Sequence, residues 1–251
     1  MSGPKERKSQ KNRRMQSLPV AIATAARTMR IEIDGLAALA SALDGELAEP
    51  FEAAVALMRS ARGRIIISGL GKSGLIGRKI AATLSSTGTP AYFVHASEAS
   101  HGDLGMITRD DVVLALSWSG ETVELASMIA YAHRFAVPIV AITSRKDSSL
   151  ARASAVSLVL PRVAEACPHG LAPTTSSLMQ LALGDCLAMA LLEGNGFTAY
   201  DFKEFHPGGQ LGANLRHLRD LMQSGDRLPL VTAQMVMSEA IVVMSQKGLG
   251  C

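Results

Sequence analysis

The stretch Arg64-Ile65-Ile66-Ile67-Ser68-Gly69-Leu70-Gly71-Lys72-Ser73-Gly74 decides how the chain is read. Three consecutive isoleucines form an unbroken apolar run, the pattern of a strand buried on both faces. The run passes straight into a glycine-rich turn, and a helix is expected over residues 75–86. Strand, glycine turn and helix together open a parallel α/β fold. The alternation continues downstream. Strands are expected at 64–68, 91–94, 111–117, 138–143 and 157–160, with helices at 121–135, 149–153 and about 175–193. Five such strands predict an α/β fold with a five-stranded parallel sheet, doubly wound, flanked by helices and joined by right-handed crossovers. Upstream, Ile22, Ala26, Met29, Ile33, Leu36 and Leu39 recur at helical spacing. A second helix follows Pro50 through Phe51, Val55 and Met58.

The remainder of the composition agrees with one sizeable core plus an appendage. The chain has 251 residues, 48 % hydrophobic and 19 % charged, with mean hydropathy +0.21. It is too apolar for a disordered chain. The longest apolar stretch, 177–192, is interrupted by Gln180 and Asp185 and falls short of the ~20 residues of a membrane span. It reads as a buried helix, so no membrane partner is expected. Residues 1–17 hold six basic side chains against Glu6, a net of +5 within a chain whose total is +3. The basic character therefore belongs to a tail, read as disordered. That tail has no aromatic residue to stack on bases, so no nucleic-acid partner is expected. Cys167, Cys186 and Cys251 are odd in number and widely spaced, which argues against a disulfide framework and fits a reducing, cytoplasmic compartment. No apolar leader follows Met1.

In parallel sheets, ligands bind outside the carboxyl ends of the strands, and two unusual loops fall there. In the first, Gly71, Lys72 and Ser73 place glycine backbone, a cation and a hydroxyl at a helix start, a setting for a single phosphate or a developing oxyanion. A dinucleotide site would need an acidic residue closing the second strand, and that strand ends in His95. A Walker A loop is excluded because Ile66 stands where its first glycine should be. The second loop, Ser117-Trp118-Ser119-Gly120-Glu121-Thr122, puts three hydroxyls and a glycine before a helix, forming a phosphate cup that needs no metal. A third, Thr143 to Ser149, repeats the theme. Glu165 lies among Val163, Ala164 and Ala166. Such surroundings are expected to raise its pKa towards that of a general base.

The loops GKSG and SWSGET at this spacing resemble those of the sugar-isomerase (SIS) domain family. The stretches GLGKSGLIGRKIAATLSSTGTP, HASEASHGDLGMI, EACPHGLAPTTSS and GFTAYDFKEFHPGGQLG resemble, within it, the D-arabinose-5-phosphate isomerases. The resemblance spans nearly all of residues 20–251. It implies interconversion of D-arabinose 5-phosphate and D-ribulose 5-phosphate through an enediol, supplying 3-deoxy-D-manno-octulosonate for lipopolysaccharide. It implies Glu165 as catalytic base, His206 for ring opening, and Lys72, His101 and Glu124 in catalysis or substrate contact. Gly88 and Thr89 match substrate-contacting positions. His95 matches a zinc-contacting position, with Glu98 and His101 close in sequence. Proton transfer needs no metal, so no cofactor is required, and zinc there would be inhibitory or structural. A homo-tetramer is implied as well. The second loop departs from the family's usual pattern in carrying Trp118.

The expected organisation is a tail at 1–17, an isomerase domain at 18–212, and at 213–251 a linker followed by the truncated start of a cystathionine-β-synthase-type (CBS) module. Two other readings are weighed. A sugar-phosphate-binding regulator would need a DNA-reading helical domain, and residues 18–61 offer two helices without a basic face. An NAD-dependent oxidoreductase would need the missing acidic residue.

Overall fold

The computed structural model describes residues 19–206 and 222–249. The basic tail and the expected boundary at 212 lie outside the described residues. The chain forms two compact units, divided in sequence between Thr198 and Ala199.

The first unit opens with α1 (Val20–Leu43) and α2 (Ala48–Arg59). Pro50 occupies the first turn of α2, where its missing N–H costs nothing, so the helix starts two residues before it. Then β1 (Ile65–Gly69), α3 (Gly71–Ser86), β2 (Ala91–Phe93), the short α4 (Ala96–Ala99), β3 (Val112–Leu116), α5 (Ala126–Phe135), β4 (Ile139–Thr143), α6 (Ser149–Ala153), β5 (Val156–Val159) and α7 (Thr175–Gly194) follow. Single 3-10 turns at Asp103–Met106 and Val123–Leu125 join α4 to β3 and β3 to α5. All five strands pair in parallel, in the order β2-β1-β3-β4-β5. Ile67 stands opposite Phe93 on one side and Leu114 on the other.

Successive strand residues serve opposite faces. Ile65, Ile67, Val112, Leu114 and Leu116 pack with α2, α3 and α7, while Ile66, Val113, Ala115, Ile139 and Ala141 pack with α5. This double burial is why the strands read as continuous apolar runs. α7 is long and apolar enough to cross a membrane by composition alone. It instead buries Met179, Leu183, Leu187 and Leu191 completely in the first core. An all-round apolar helix is what a core position requires.

Two boundaries differ from expectation in ways that matter for the site. α3 begins at Gly71 rather than 75, so Lys72, Ser73 and Gly74 occupy its first turn. Residues 121–122 are not helical, and α5 begins only at Ala126. Gly120 (φ +69°) turns the chain there, and a Cβ on it would lie 2.0 Å from the Ser148 hydroxyl.

The chain order reverses between β1 and β3: β2 is added on one side of β1, and β3 to β5 on the other. Diverging connections leave a crevice at the carboxyl ends of those two strands. The loops after β1 and β3 are the two singled out in the sequence.

The second unit contains α8 (Ala199–Phe205), a 3-10 turn at Gly225–Arg227 and α9 (Met237–Lys247), which ends at Gly248 in the left-handed conformation. The Lys247 ammonium donates to the Asp226 carbonyl. Its described residues include no strand.

Candidate active site

A cleft of about 520 Å³ opens at the β1–β3 switch point, within the roughly 300–1,000 Å³ of small-molecule sites. It gathers Lys72 and Ser73 from the first turn of α3, Ser117, Trp118, Ser119 and Thr122 from the loop after β3, Glu165, and Ser176, Ser177 and Gln180 from α7. Six of the residues expected from sequence thus meet in one place: Lys72, Ser73, Ser117, Ser119, Thr122 and Glu165. Among the described residues Lys72 is in no salt bridge. It brings a positive charge to a cleft whose lining also holds Arg162 and Glu165.

The cup after β3 is tied together internally. Gly120 N–H donates to Ser117 Oγ at 3.0 Å, and Ser117 Oγ lies 2.7 Å from Thr122 Oγ1. Two hydroxyl protons share one mutual bond, so one remains to offer a ligand oxygen. Glu121 N–H donates to Ser119 Oγ at 3.2 Å. The third loop lies behind this cup. Ser144 N–H and Oγ donate to the Trp118 carbonyl at 3.0 and 2.8 Å, and Thr143 Oγ1 donates to it at 3.3 Å. Ser148 caps α6 through Ala151 N–H. The Thr143 and Ser144 hydroxyls thus support the second loop, those of Ser148 and Ser149 serve the third loop and α6, and none of the four lines the cleft.

Glu165 is placed by α7. Its Oε2 accepts from Thr174 N–H at 2.7 Å, Thr174 Oγ1 at 2.9 Å and Ser176 N–H at 3.3 Å. The Thr174 hydroxyl oxygen in turn accepts from Ala166 N–H at 2.8 Å. The carboxylate therefore sits on the positive end of a 20-residue helix. The expected rise in its pKa is not found. Partial burial pushes it up, but hydrogen bonds from Ser176 and Thr174 outweigh that, and the group lies below the usual carboxylate range. The apolar neighbours visible in the sequence matter less than donors nine and eleven residues further on.

Several expected site residues lie elsewhere. Glu121 accepts from Ser149 N–H at 3.0 Å, which holds its carboxylate at the start of α6 and lowers its pKa. Glu124 and His101 are exposed and do not line the cleft. Gly71 and His95 line an adjoining hollow with Lys72, Gly74, Leu75 and Arg78. His95 Nδ1 accepts from Ser97 N–H at 3.3 Å, so it caps α4. Among the described residues no three His, Cys, Asp or Glu side chains converge to hold a metal. His95, Glu98 and His101, where the resemblance implies a zinc contact at His95, are not gathered into such a group. Gly88 and Thr89 precede β2, at the opposite end of the sheet. Gly88 has φ +90° and faces the Phe197 ring, 2.3 Å from where a Cβ would stand. Thr89 is 6 % exposed. Neither lines the cleft, and the buried Thr89 Oγ1 has no partner among the described residues. His206 belongs to the second unit, where its ring stacks on Phe202 (centroids 3.9 Å apart) and its Nδ1 donates to the Phe202 carbonyl at 2.8 Å.

Sequence reasoning did not assign Gln180, Ser176 or Ser177 to the site. The one signal was a polar residue interrupting an apolar helix, since a glutamine 1 % exposed needs a reason to be there.

The family model described as SIS domain matches residues 57–190. The chain is 46 % identical over 230 residues to arabinose 5-phosphate isomerase KdsD of Pseudomonas aeruginosa, covering 91 % of this chain and 69 % of that protein. It is 47 % identical over 209 residues to KdsD of Escherichia coli K12, covering 83 % of this chain and 64 % of that one. The chain thus spans about two thirds of the length of these curated relatives. Among solved structures, the c3406 protein of E. coli CFT073 in complex with arabinose 5-phosphate superposes with TM-score 0.70 at 41 % identity, over 74 % of this chain and 97 % of that one.

Proposed function

The chain belongs to the SIS domain family, and within it to the arabinose 5-phosphate isomerases; from that premise we propose that it interconverts D-arabinose 5-phosphate and D-ribulose 5-phosphate, a step that feeds 3-deoxy-D-manno-octulosonate and lipopolysaccharide synthesis. The observation that carries this reading is the meeting of Lys72, the Ser117–Thr122 cup and Glu165 in one cleft at the switch point.

The chemistry follows from those groups. The hydroxyl cup and the start of α3 hold the phosphate. Glu165, ionised at neutral pH, takes the proton from C2 of the open-chain aldose and returns it to C1, while the proton on O2 passes to O1 through the enediol. Lys72 faces the oxygen on which negative charge grows in the enediolate, where a fixed cation counts most. His206 opens the sugar ring; with Nδ1 bonded to a carbonyl, Nε2 is the nitrogen able to exchange a proton. Glu124 and His101 complete the proposed set from outside this cleft. No cofactor enters any step.

Assembly into a homo-tetramer, a cytoplasmic location and a CBS-type identity for residues 213–251 belong to the same proposal. The first is supported by an exposed apolar stripe on α1, with Ile22, Met29 and Ile33 each more than half exposed. The decisive experiment incubates purified protein with D-arabinose 5-phosphate and assays ketose. Ketose formation supports the proposal, and its absence from a folded sample refutes it. Light scattering reads the assembly, where a mass near that of one protomer at micromolar concentration refutes the tetramer.

A further inference from the structure

Gln180 occupies a position in the apolar helix α7 that asks for no amide. It is 1 % exposed and lines the cleft. Its Oε1 accepts from Ser73 Oγ at 3.0 Å, and Ser73 directly follows Lys72. Its Nε2 is buried and, among the described residues, has no partner. An unpaired buried donor is costly, and an apolar side chain of similar length would avoid that cost.

In this arrangement the Ser73 proton points at Gln180 and not into the cleft. A half-turn of the amide exchanges Oε1 and Nε2. Nε2 then donates to Ser73 Oγ, and the Ser73 proton is released towards the cleft. That arrangement satisfies the orphan donor, but it leaves the Ser73 proton without an acceptor unless a ligand oxygen is present. A ligand oxygen in the cleft gives that proton its acceptor, and the buried amide atom left unpaired is then Oε1, an acceptor, in place of a donor.

We propose that Gln180 is a positioning residue that turns the Ser73 hydroxyl into a donor to an anionic ligand oxygen when the cleft is filled. This rests on the cleft's being a sugar-phosphate site. Ser73 touches the ligand, and Gln180 acts through it.

The test measures affinity for D-arabinose 5-phosphate by calorimetry, and KM and kcat, in four variants. Ser73→Ala loses a hydrogen bond to a charged group, so affinity falls roughly tenfold or more, with kcat changing less than KM. Gln180→Met, apolar and similar in length, gives a comparable loss while thermal stability is kept. The double variant Ser73→Ala/Gln180→Met is no weaker than Ser73→Ala alone, because both act through one contact. Gln180→Glu adds a readout that a packing role would not move. Ionised, its carboxylate can only accept, which pins the Ser73 proton away from the ligand. Protonated, it both donates and accepts like the amide. Affinity in this variant therefore recovers as pH falls, a response absent from Ser73→Ala. Reading one sample at two pH values also avoids comparing separately folded variants. Wild-type affinity in Gln180→Met, or losses that multiply in the double variant, overturns the proposal. If the wild type neither binds nor converts the sugar phosphate, the functional reading fails. The same series titrated with inorganic phosphate then decides this one.

Discussion

Two carboxylates, at opposite ends of the sheet, each receive three hydrogen bonds, yet they stand in different surroundings. At the amino end, Asp111 takes Arg64 N–H on Oδ1 at 2.6 Å, and Thr108 N–H and Oγ1 on Oδ2 at 2.6 and 2.9 Å. It is 4 % exposed, and both of its oxygens are occupied. At the carboxyl end, Glu165 gathers its backbone and threonine donors on a single oxygen and stands on the wall of a cleft. Equal bonding therefore does not identify a functional carboxylate. What distinguishes Glu165 is where the topology sets it: beside a cation, a hydroxyl cup and open volume.

The largest expected effect breaks the comparison on the chemical side. Glu165→Gln keeps an oxygen for Thr174 and Ser176 and removes the proton acceptor. Turnover should fall by ~10²–10⁴, with substrate affinity and melting temperature little changed. Near wild-type turnover would leave Glu165 a helix cap and nothing more.

Asp111→Ala breaks it on the structural side. Two backbone N–H groups and a hydroxyl lose their acceptor at a buried site, at a cost of about 3 kcal/mol. In a unit of this size that lowers Tm by roughly 6–12 °C. Per folded molecule, turnover should be unchanged. A loss of kcat larger than the loss of folded protein would mean that the amino end of the sheet contributes to the site.

Gly88→Ala comes next in size. The resemblance places this position in substrate contact, while the structure sets it at φ +90° against Phe197. An alanine is strained there and must displace a ring, at about 2 kcal/mol. The structural role predicts a lower Tm with KM preserved. A raised KM without loss of stability would return Gly88 to the substrate.

The two ends of the sheet also differ in what the sequence disclosed. Strands, sheet type and the switch-point loops were legible because burial on both faces leaves an unbroken apolar signature, as in Ile65–Ile67. Lys72 and the Ser117–Thr122 cup were legible because they sit immediately after such strands. Gln180 was not, because its meaning comes from Ser73, on another helix and more than a hundred residues away. Glu121 read as a phosphate ligand until folding set Ser149 N–H against it. His95 matched a zinc-contacting position, and what folding adds is that its Nδ1 caps α4. For Glu165 the sequence showed the apolar neighbours and hid the donors. The chain turns back between Glu165 and Thr174, so the dominant interactions are absent from the residues on either side.

That last difference yields the finest prediction, because it concerns pH rather than presence or absence. The folded-state pKa of Glu165 is lowered, whereas an unfolded chain titrates a glutamate near 4.3, as a rough reference. The sign follows from linkage: the carboxylate's contribution to stability is fully present above the unfolded value and is lost as pH falls through the folded one. Between about pH 6 and 8 the group stays ionised in both states, so it adds no slope to stability or to kcat/KM there. The acid limb that Glu165 imposes on kcat/KM should lie below the usual carboxylate range. Thr174→Val removes the Oγ1 donor while keeping the backbone N–H, so it should move that limb upward in pH. It also deprives Ala166 N–H of its acceptor, so Tm should fall slightly. A wild-type limb near neutrality would show that another group carries the titration. A Thr174→Val profile superposing on the wild type would show that the threonine hydroxyl does not set the basicity of Glu165. Movement of the limb in Thr174→Val, but not in Asp111→Ala, would locate the pH dependence at the carboxyl end of the sheet.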